Sequence, residues 1–198
     1  MSRLEEVLVY IKGLSLLIQG NREGFRWLDI SEAGLWRSFT AILWSLPALA
    51  VGWASWRLYY LSAMPSGTTV GLGFVIKLFV VDLAAWLLPV ALTLILSRPL
   101  DFTAFVVPVI VTTNWLQVPL SYAMAVPAAI LLLVPGGQDV AVLLSFLLLF
   151  VNAALLFRLL RTVTANQNLL AAALAALFLL SPLMIVQSLQ RLLGVMPG

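Results

Sequence analysis

The sequence predicts an all-α membrane protein: a polytopic bundle of about five transmembrane helices, preceded by an amphipathic helix at the membrane interface. Of its 198 residues, 63% are hydrophobic and only 10% are charged, whereas a soluble domain has roughly 25% charged residues. The mean hydropathy is +1.08. There is too little polar side chain to cover a water-soluble globule of this size. Lipid is therefore the expected solvent for most of the surface.

The first element, within a predicted cytoplasmic and interfacial segment of residues 1–37, is a helix over residues 4–19. Its apolar face is predicted from residues at helical spacing, namely Leu4, Val7, Leu8, Ile11, Leu14, Ser15 and Ile18. Charged residues such as Glu5 and Lys12 lie on another face. The helix is too short and too charged to span a bilayer, so we expect it to lie along the membrane surface.

A short segment of charges and aromatic rings follows the helix after a break at Gly20 and Asn21. Its predicted interfacial anchor consists of Arg22, Phe25, Arg26 and Trp27. Two interpretations are open: a general anchor at the interface, or specific recognition of anionic headgroups. Nearby acidic residues cancel much of the positive charge and favour the general anchor.

Residues 38–198 are predicted to form the five-span bundle, with spans at about 38–61, 72–97, 102–134, 140–160 and 169–190. The third segment is ambiguous because a helix over 102–134 would be about 50 Å long, against a hydrocarbon core of about 30 Å. Two spans would need about 40 residues and a turn. Since Pro108, Pro119 and Pro127 interrupt the segment, we predict one span with a kinked or broken entry, and two spans as the alternative.

The distribution of basic residues predicts the orientation. With the N-terminus inside and five spans, the cytoplasmic side would hold Arg3, Lys12, Arg22, Arg26, Arg37, Arg98, Arg158 and Arg161, and the other side Arg57 and Arg191. Splitting 102–134 into two spans would move Arg158 and Arg161 outside. We therefore expect a multi-pass membrane protein with a cytoplasmic N-terminus.

Asp82 is the most informative residue for function. It lies about 15 Å into the second predicted span, where a carboxylate is costly and marks a candidate functional site. Asn114 and Asn152 fall at a similar depth on other helices. The three could form a polar cluster that relays a proton or binds a cation or a polar headgroup. Alternatively, Asp82 is protonated and hydrogen-bonded to an amide, and only joins helices.

Lys77 is the cation nearest to Asp82 in the sequence and is included in the predicted cluster. Five residues separate the two, which places them about 140° apart around a helix. Lys77 therefore either bends back to pair with Asp82 or extends to the outer interface.

Several function classes are disfavoured by composition. The chain has no histidine and no cysteine, which removes the commonest general base, the commonest transition-metal ligand and all thiol chemistry. No hydrolase, metalloprotease or nucleotide-binding motif occurs, so we expect a non-enzymatic protein without metal or cofactor. No basic stripe with interleaved aromatic residues points to nucleic acid. The expected partners are membrane lipids and other membrane proteins or a second copy.

The stretch from Leu16 to Phe25 has an apolar run, a breaker at Gly20, then charges and an aromatic ring before the first span. Together with five spans and a proline-interrupted third, it resembles the entry segment and layout of the bacterial branch of the Yip1-like membrane proteins. The resemblance implies a five-helix bundle in a bacterial inner (plasma) membrane. The eukaryotic relatives act in membrane trafficking by binding partners, and the family offers no catalytic residues to match.

Two functions are therefore carried forward. The first is a scaffold or modulator that acts through helix packing with partner proteins or lipids. The alternative is a small transporter or channel-like protein that uses Asp82 with its amide neighbours.

Overall fold

The computed structural model describes residues 3–197, with side chains from Glu5 onward, so the predicted roles of the Arg3 and Leu4 side chains lie outside the described residues. Within this range the protein has seven α-helices, no strands and 81% helix. The helices are α1 (Arg3–Ile18), α2 (Glu32–Ser38), α3 (Ala41–Ser62), α4 (Leu72–Ser97), α5 (Val106–Leu133), α6 (Gln138–Val163) and α7 (Asn168–Leu192). Short 3₁₀ helices cover Arg22–Trp27 and Thr103–Phe105.

Five segments of the described chain are helical, long and apolar enough to span a membrane, which confirms the predicted number. The first combines α2 with α3, and the others correspond to α4, α5, α6 and α7. α4 has the bounds that were predicted, whereas α6 and α7 extend a few residues beyond theirs at both ends. These ends contain polar residues, and hydropathy alone does not assign such residues to a helix.

The segment 102–134 forms one continuous helix after its 3₁₀ turn. Pro108 lies in the first turn of α5, where a helix does not need the missing N–H. Pro119 and Pro127 lie inside the helix without ending it. At 1.5 Å per residue, α5 is about 42 Å long, longer than the hydrocarbon core of a typical bilayer.

In the series from α3 to α7, each helix is joined to the next by a short connection, so successive helices run in opposite directions. We call the end where α3, α5 and α7 begin the near end, and the opposite end the far end. Packing connects α3 to α5, α5 to α6, α6 to α7 and α7 to α4, while a smaller α3–α4 contact closes a ring. Ala171 and Ala175, one helical turn apart on α7, are buried in this ring and allow close packing.

The near-end third of α5 is the centre of the protein. Eight consecutive residues, from Val109 to Leu116, are buried all around the helix. A helix that is buried on every side must be surrounded by other elements, and here α1, α2, α3 and α6 pack around it. The hydrophobic core therefore lies at the near end.

α1 packs on the bundle through a face centred on Tyr10, Leu14 and Leu17, which are all buried. The Tyr10 ring lies 4.6 Å from that of Trp115 on α5, measured between ring centroids. The predicted apolar face is rotated from this one, because Leu8 is 58% exposed.

The chain after α1 folds back against it. Gly13 and Gly24 make this close approach possible, since a Cβ on Gly24 would lie 2.4 Å from the carbonyl oxygen of Gly13. The Arg158 Nε donates to the Ile18 carbonyl at 3.0 Å and joins the end of α1 to α6. The N-terminal segment is thus a packed part of the bundle.

Candidate functional site

A cavity of about 290 Å³ is lined by residues from all five long helices. We call it the polar cavity, because its wall includes one carboxylate, three amides, one hydroxyl and two indoles. These belong to Asp82, Gln117, Asn152, Gln190, Ser121, Trp53 and Trp56. Such a concentration of polar groups among apolar helices is the main chemical feature of the bundle.

Asp82 is held in the wall by one hydrogen bond. The Trp53 indole Nε1 on α3 donates to Asp82 Oδ2 at 2.6 Å. The other carboxylate oxygen, Oδ1, has no hydrogen bond within the described residues. No buried side-chain oxygen or nitrogen among residues 5–197 lacks a partner, so Oδ1 opens onto the cavity.

The three amides of the wall also keep their hydrogen-bonding capacity. The side chains of Gln117, Asn152 and Gln190 make no hydrogen bond within the described part of the chain. In hydrocarbon, each unsatisfied polar group costs several kcal/mol. These amides and the free carboxylate oxygen therefore need water or a polar ligand in the cavity.

Asn114 belongs to a different network, closer to the near end. Its side chain is buried, accepts from Trp86 Nε1 at 2.8 Å and donates to the Ser38 hydroxyl at 2.9 Å. These bonds join α4, α5 and α2. Asn114 does not line the polar cavity, so the structure brings Asp82 and Asn152 to one cavity and places Asn114 apart from them.

Lys77 lies at the far end and forms no salt bridge with Asp82 in the described chain. Its Nζ donates to the Leu193 carbonyl at 2.8 Å, just after the end of α7. Trp56 Nε1 donates to the Val195 carbonyl at 2.8 Å, and the Tyr60 hydroxyl to that of Gly194 at 3.4 Å. Lys77 therefore helps hold the C-terminal segment between α3 and α4. Its positive charge also interacts favourably with the carbonyl end of the α7 helix dipole.

The predicted anchor residues all lie on the 3₁₀ helix after α1. Arg22, Arg26 and Trp27 are exposed, and Phe25 is half-buried against the core. Arg22 lies 6.0 Å from the Phe25 ring centroid. The Lys12 ammonium lies 4.0 Å from the Trp27 ring centroid, which ties this segment to α1.

Two further hollows adjoin the polar cavity. An apolar chamber of about 270 Å³ lies between α1, α5 and α6, and a larger groove of about 960 Å³ lies between α3 and the α5–α6 turn at the far end. The chamber shares Leu120, Met124 and Asn152 with the polar cavity. The groove shares Gly52, Trp56 and Met124 with it.

Five of the seven polar residues in the wall were not assigned to the site from the sequence, namely Gln117, Ser121, Gln190, Trp53 and Trp56. Gln117 and Ser121 are four residues apart, which places them on one face of α5. This spacing could have indicated a polar face on that helix. Gln190 is the last residue of its predicted span, which gave no indication that it lines a cavity. Trp53 and Trp56 have the position of interfacial belt residues, and only the packing of α3 turns them inward.

Comparison with known proteins gives no match: no family model, no curated protein and no solved structure shows significant similarity to the chain. Among residues 3–197, no group of three acidic, histidine or cysteine side chains is placed to hold a metal ion. The fold and composition together define a protein with five potential membrane-spanning helices around a polar cavity.

Proposed function

We propose that the protein is a small, non-enzymatic transporter or channel-like membrane protein that binds a cationic polar solute in the polar cavity. One observation carries the proposal: a carboxylate oxygen and three amides face a cavity between five apolar helices and have no partner within the described residues. Intramembrane ionisable residues of this kind mark solute and ion pathways in membrane proteins.

The charge of the wall favours a cation. Asp82 is the one charged residue that lines the polar cavity in the described chain, and Lys77 is engaged with the Leu193 carbonyl instead. A cationic group in the cavity would donate a charge-assisted hydrogen bond to Asp82 and further hydrogen bonds to the neutral amide oxygens.

We further propose the topology and location that suit this role. The protein lies in a bacterial inner membrane with its near end and N-terminus in the cytoplasm, and α1 and the anchor residues at the cytoplasmic interface. The excess of basic residues at the near end supports this orientation. Membership of the Yip1-like family and action as a scaffold for partner proteins or lipids stay predictions.

The test uses the cysteine-free chain with a single substitution, Gln117→Cys, in proteoliposomes. We expect a small water-soluble methanethiosulfonate reagent to label this cysteine, and methylammonium to protect it. In the Asp82→Asn background the concentration for half-protection should rise about ten- to a hundredfold, because a hydrogen bond to a charged group contributes about 1.5–3 kcal/mol.

The matched control is Leu143→Cys, since Leu143 is 72% exposed on α6 and outside the cavity. It should resist the reagent and be indifferent to methylammonium. If methylammonium protects Gln117→Cys equally well with and without the Asp82→Asn substitution, the proposal is contradicted.

The scaffold hypothesis predicts a different pattern. If Asp82 only joins helices through Trp53, Asp82→Asn should leave solute uptake and partner recovery unchanged, whereas Asp82→Leu should disrupt folding. The transport hypothesis predicts instead that uptake of methylammonium into proteoliposomes falls in both Asp82→Asn and Asp82→Leu.

A further inference from the structure

We propose that the solute is an amphipathic amine, with its ammonium group in the polar cavity and its aliphatic chain in the apolar chamber. This inference rests on the proposed function and names its substrate class. It follows from the position of the chamber, which shares lining residues of α5 and α6 with the polar cavity.

The two hollows are adjacent and share part of their lining. Leu120 and Met124 on α5 and Asn152 on α6 line both the polar cavity and the chamber. A ligand that contacts these three side chains therefore has the polar cavity on one side and the chamber on the other. Each hollow alone is slightly below the roughly 300–1,000 Å³ typical of small-molecule sites, whereas the pair provides room for a head and a tail.

The chemistry of the two hollows differs sharply. The chamber is walled by aliphatic side chains of three helices, including Ile11, Leu14 and Ile18 of α1, Leu116 of α5, and Leu148 of α6. Its two polar residues are Asn152, at the junction, and Ser15, whose hydroxyl donates to the carbonyl of Lys12 at 2.8 Å. A polar solute would gain nothing there, but an alkyl chain leaving water would bury its surface.

α1 forms one side of the chamber. Ile11, Leu14 and Ile18 lie on it as one side, while α5 and α6 form the other sides. The packing of α1 on the bundle is therefore needed to form the chamber, because without α1 the chamber would lack one of its three sides.

The experiment measures protection of Gln117→Cys by n-alkylammonium ions from methylammonium to hexylammonium, which are all water-soluble. The concentration for half-protection should fall about two- to fourfold for each added methylene, as the chain leaves water for the chamber. Ala123 lines the chamber, and Ala123→Phe should remove this dependence on chain length while methylammonium still protects. Ala154→Phe, at an exposed position of α6, should leave the dependence intact.

A series with no dependence on chain length, or one that Ala123→Phe and Ala154→Phe change equally, would overturn the inference and leave the proposed function standing. Failure of methylammonium itself to protect would overturn the proposed function, and this inference with it. Protein-free liposomes of the same lipid measure how much of each amine partitions from water into the bilayer. The half-protection concentrations can then be expressed as the concentration of amine in water.

Discussion

Asn114 illustrates how a single buried amide holds three elements together. Its oxygen accepts from Trp86 on α4 and its nitrogen donates to Ser38 on α2. Hydrogen bonds between membrane helices contribute about 0.6 kcal/mol on average and at most about 1.7 kcal/mol. The two bonds of Asn114 are therefore a structural link of ordinary strength, placed where the side chain has no access to solvent.

We expect Asn114→Leu to lower the free energy of unfolding by about 1–2 kcal/mol, because it removes both bonds and leaves the Trp86 N–H without its acceptor. The measurement is reversible unfolding in mixed micelles with increasing dodecyl sulfate. Asn152→Leu is the matched control, since the Asn152 side chain makes no hydrogen bond within the described chain, and should shift stability by less than about 0.5 kcal/mol. Equal losses in the two variants would show that the network of Asn114 has no special role.

The sequence was sufficient to select Asp82, Asn114 and Asn152 but not to group them. Counting residues from the ends of the spans placed Asp82, Asn114 and Asn152 at one depth. In the structure, Asp82 and Asn152 line the polar cavity, whereas Asn114 belongs to a separate hydrogen-bond network. Depth depends on position along a helix, which the sequence reveals. The direction in which a side chain points depends on the rotation of its helix about the helix axis. This rotation is determined by the neighbouring helices, which a single sequence does not identify.

At the scale of the elements, the last turn of α2 is joined to α1 through charged side chains at the near end. Arg37 contacts Asp29 and lies 3.8 Å from Glu6 on α1. The Tyr10 hydroxyl donates to Glu6 at 2.9 Å. Burial, and then this hydrogen bond to Glu6, raise the pKa of Tyr10 to about 12, so Tyr10 stays a neutral donor at physiological pH. These contacts join α1 to the segment that leads into α3.

Asp29 makes this junction sensitive to acid. Hydrogen bonds from the Ser31 hydroxyl and backbone N–H, and then from Arg37, hold the pKa of Asp29 below its ordinary value. A carboxyl group whose pKa is lower in the folded state stabilises that state above the unfolded pKa, about 3.9 for aspartate. This stabilisation is lost as pH falls below that value and Asp29 is protonated.

We therefore expect amide protection over residues 29–40 to decrease when the pH falls below about 4, measured by hydrogen exchange with correction for the intrinsic rate at each pH. Asp29→Asn should be less protected than the wild type at pH 7 and should lack the acid-dependent decrease. Glu32→Gln is a suitable control, because it changes an exposed neighbouring charge without removing the contacts of Asp29. An acid-dependent decrease that persists in Asp29→Asn would assign the effect to another group.

The elements themselves follow from the sequence to different extents. The long apolar runs predict α4, α6 and α7 closely, since a membrane helix needs only length and low polarity. The attachment of α1 could not be predicted, because an apolar stripe that packs on protein has the same periodicity as one that lies on lipid. Tyr10 and Leu17, which are buried in the structure, were outside the predicted face for this reason.

For the whole molecule, the ring of helices explains why polar groups of different spans meet. Each of α3 to α7 contributes at least one residue to the polar cavity, and the ring order α3, α5, α6, α7, α4 differs from the order in the chain. Hydropathy predicts how many spans exist, whereas their order around the ring depends on packing between side chains far apart in sequence. The existence of the cavity could therefore not be predicted, although two of its residues were.

The orientation of the ring in the membrane is the property on which access to the cavity depends. The near end carries the basic residues of the N-terminal segment together with Arg98, Arg158 and Arg161, and basic residues are retained on the cytoplasmic side during insertion. The length of α5, about 42 Å, fits this arrangement, because its buried first turns can extend beyond the hydrocarbon into the core that they form with α1 and α2 at the near end. We therefore expect the turns at the far end to face outward.

Single cysteines in exposed turns of this cysteine-free chain test the expectation. Ser66→Cys and Gln138→Cys at the far end should react with a membrane-impermeant maleimide added to intact cells. Leu100→Cys and Gln167→Cys at the near end should react only after the membrane is permeabilised, because five crossings with an internal N-terminus leave both turns inside. Labelling of Ser66→Cys and Gln138→Cys from opposite sides would mean that α5 does not follow α4 back across the membrane, and the ring that forms the polar cavity would then not exist in the bilayer.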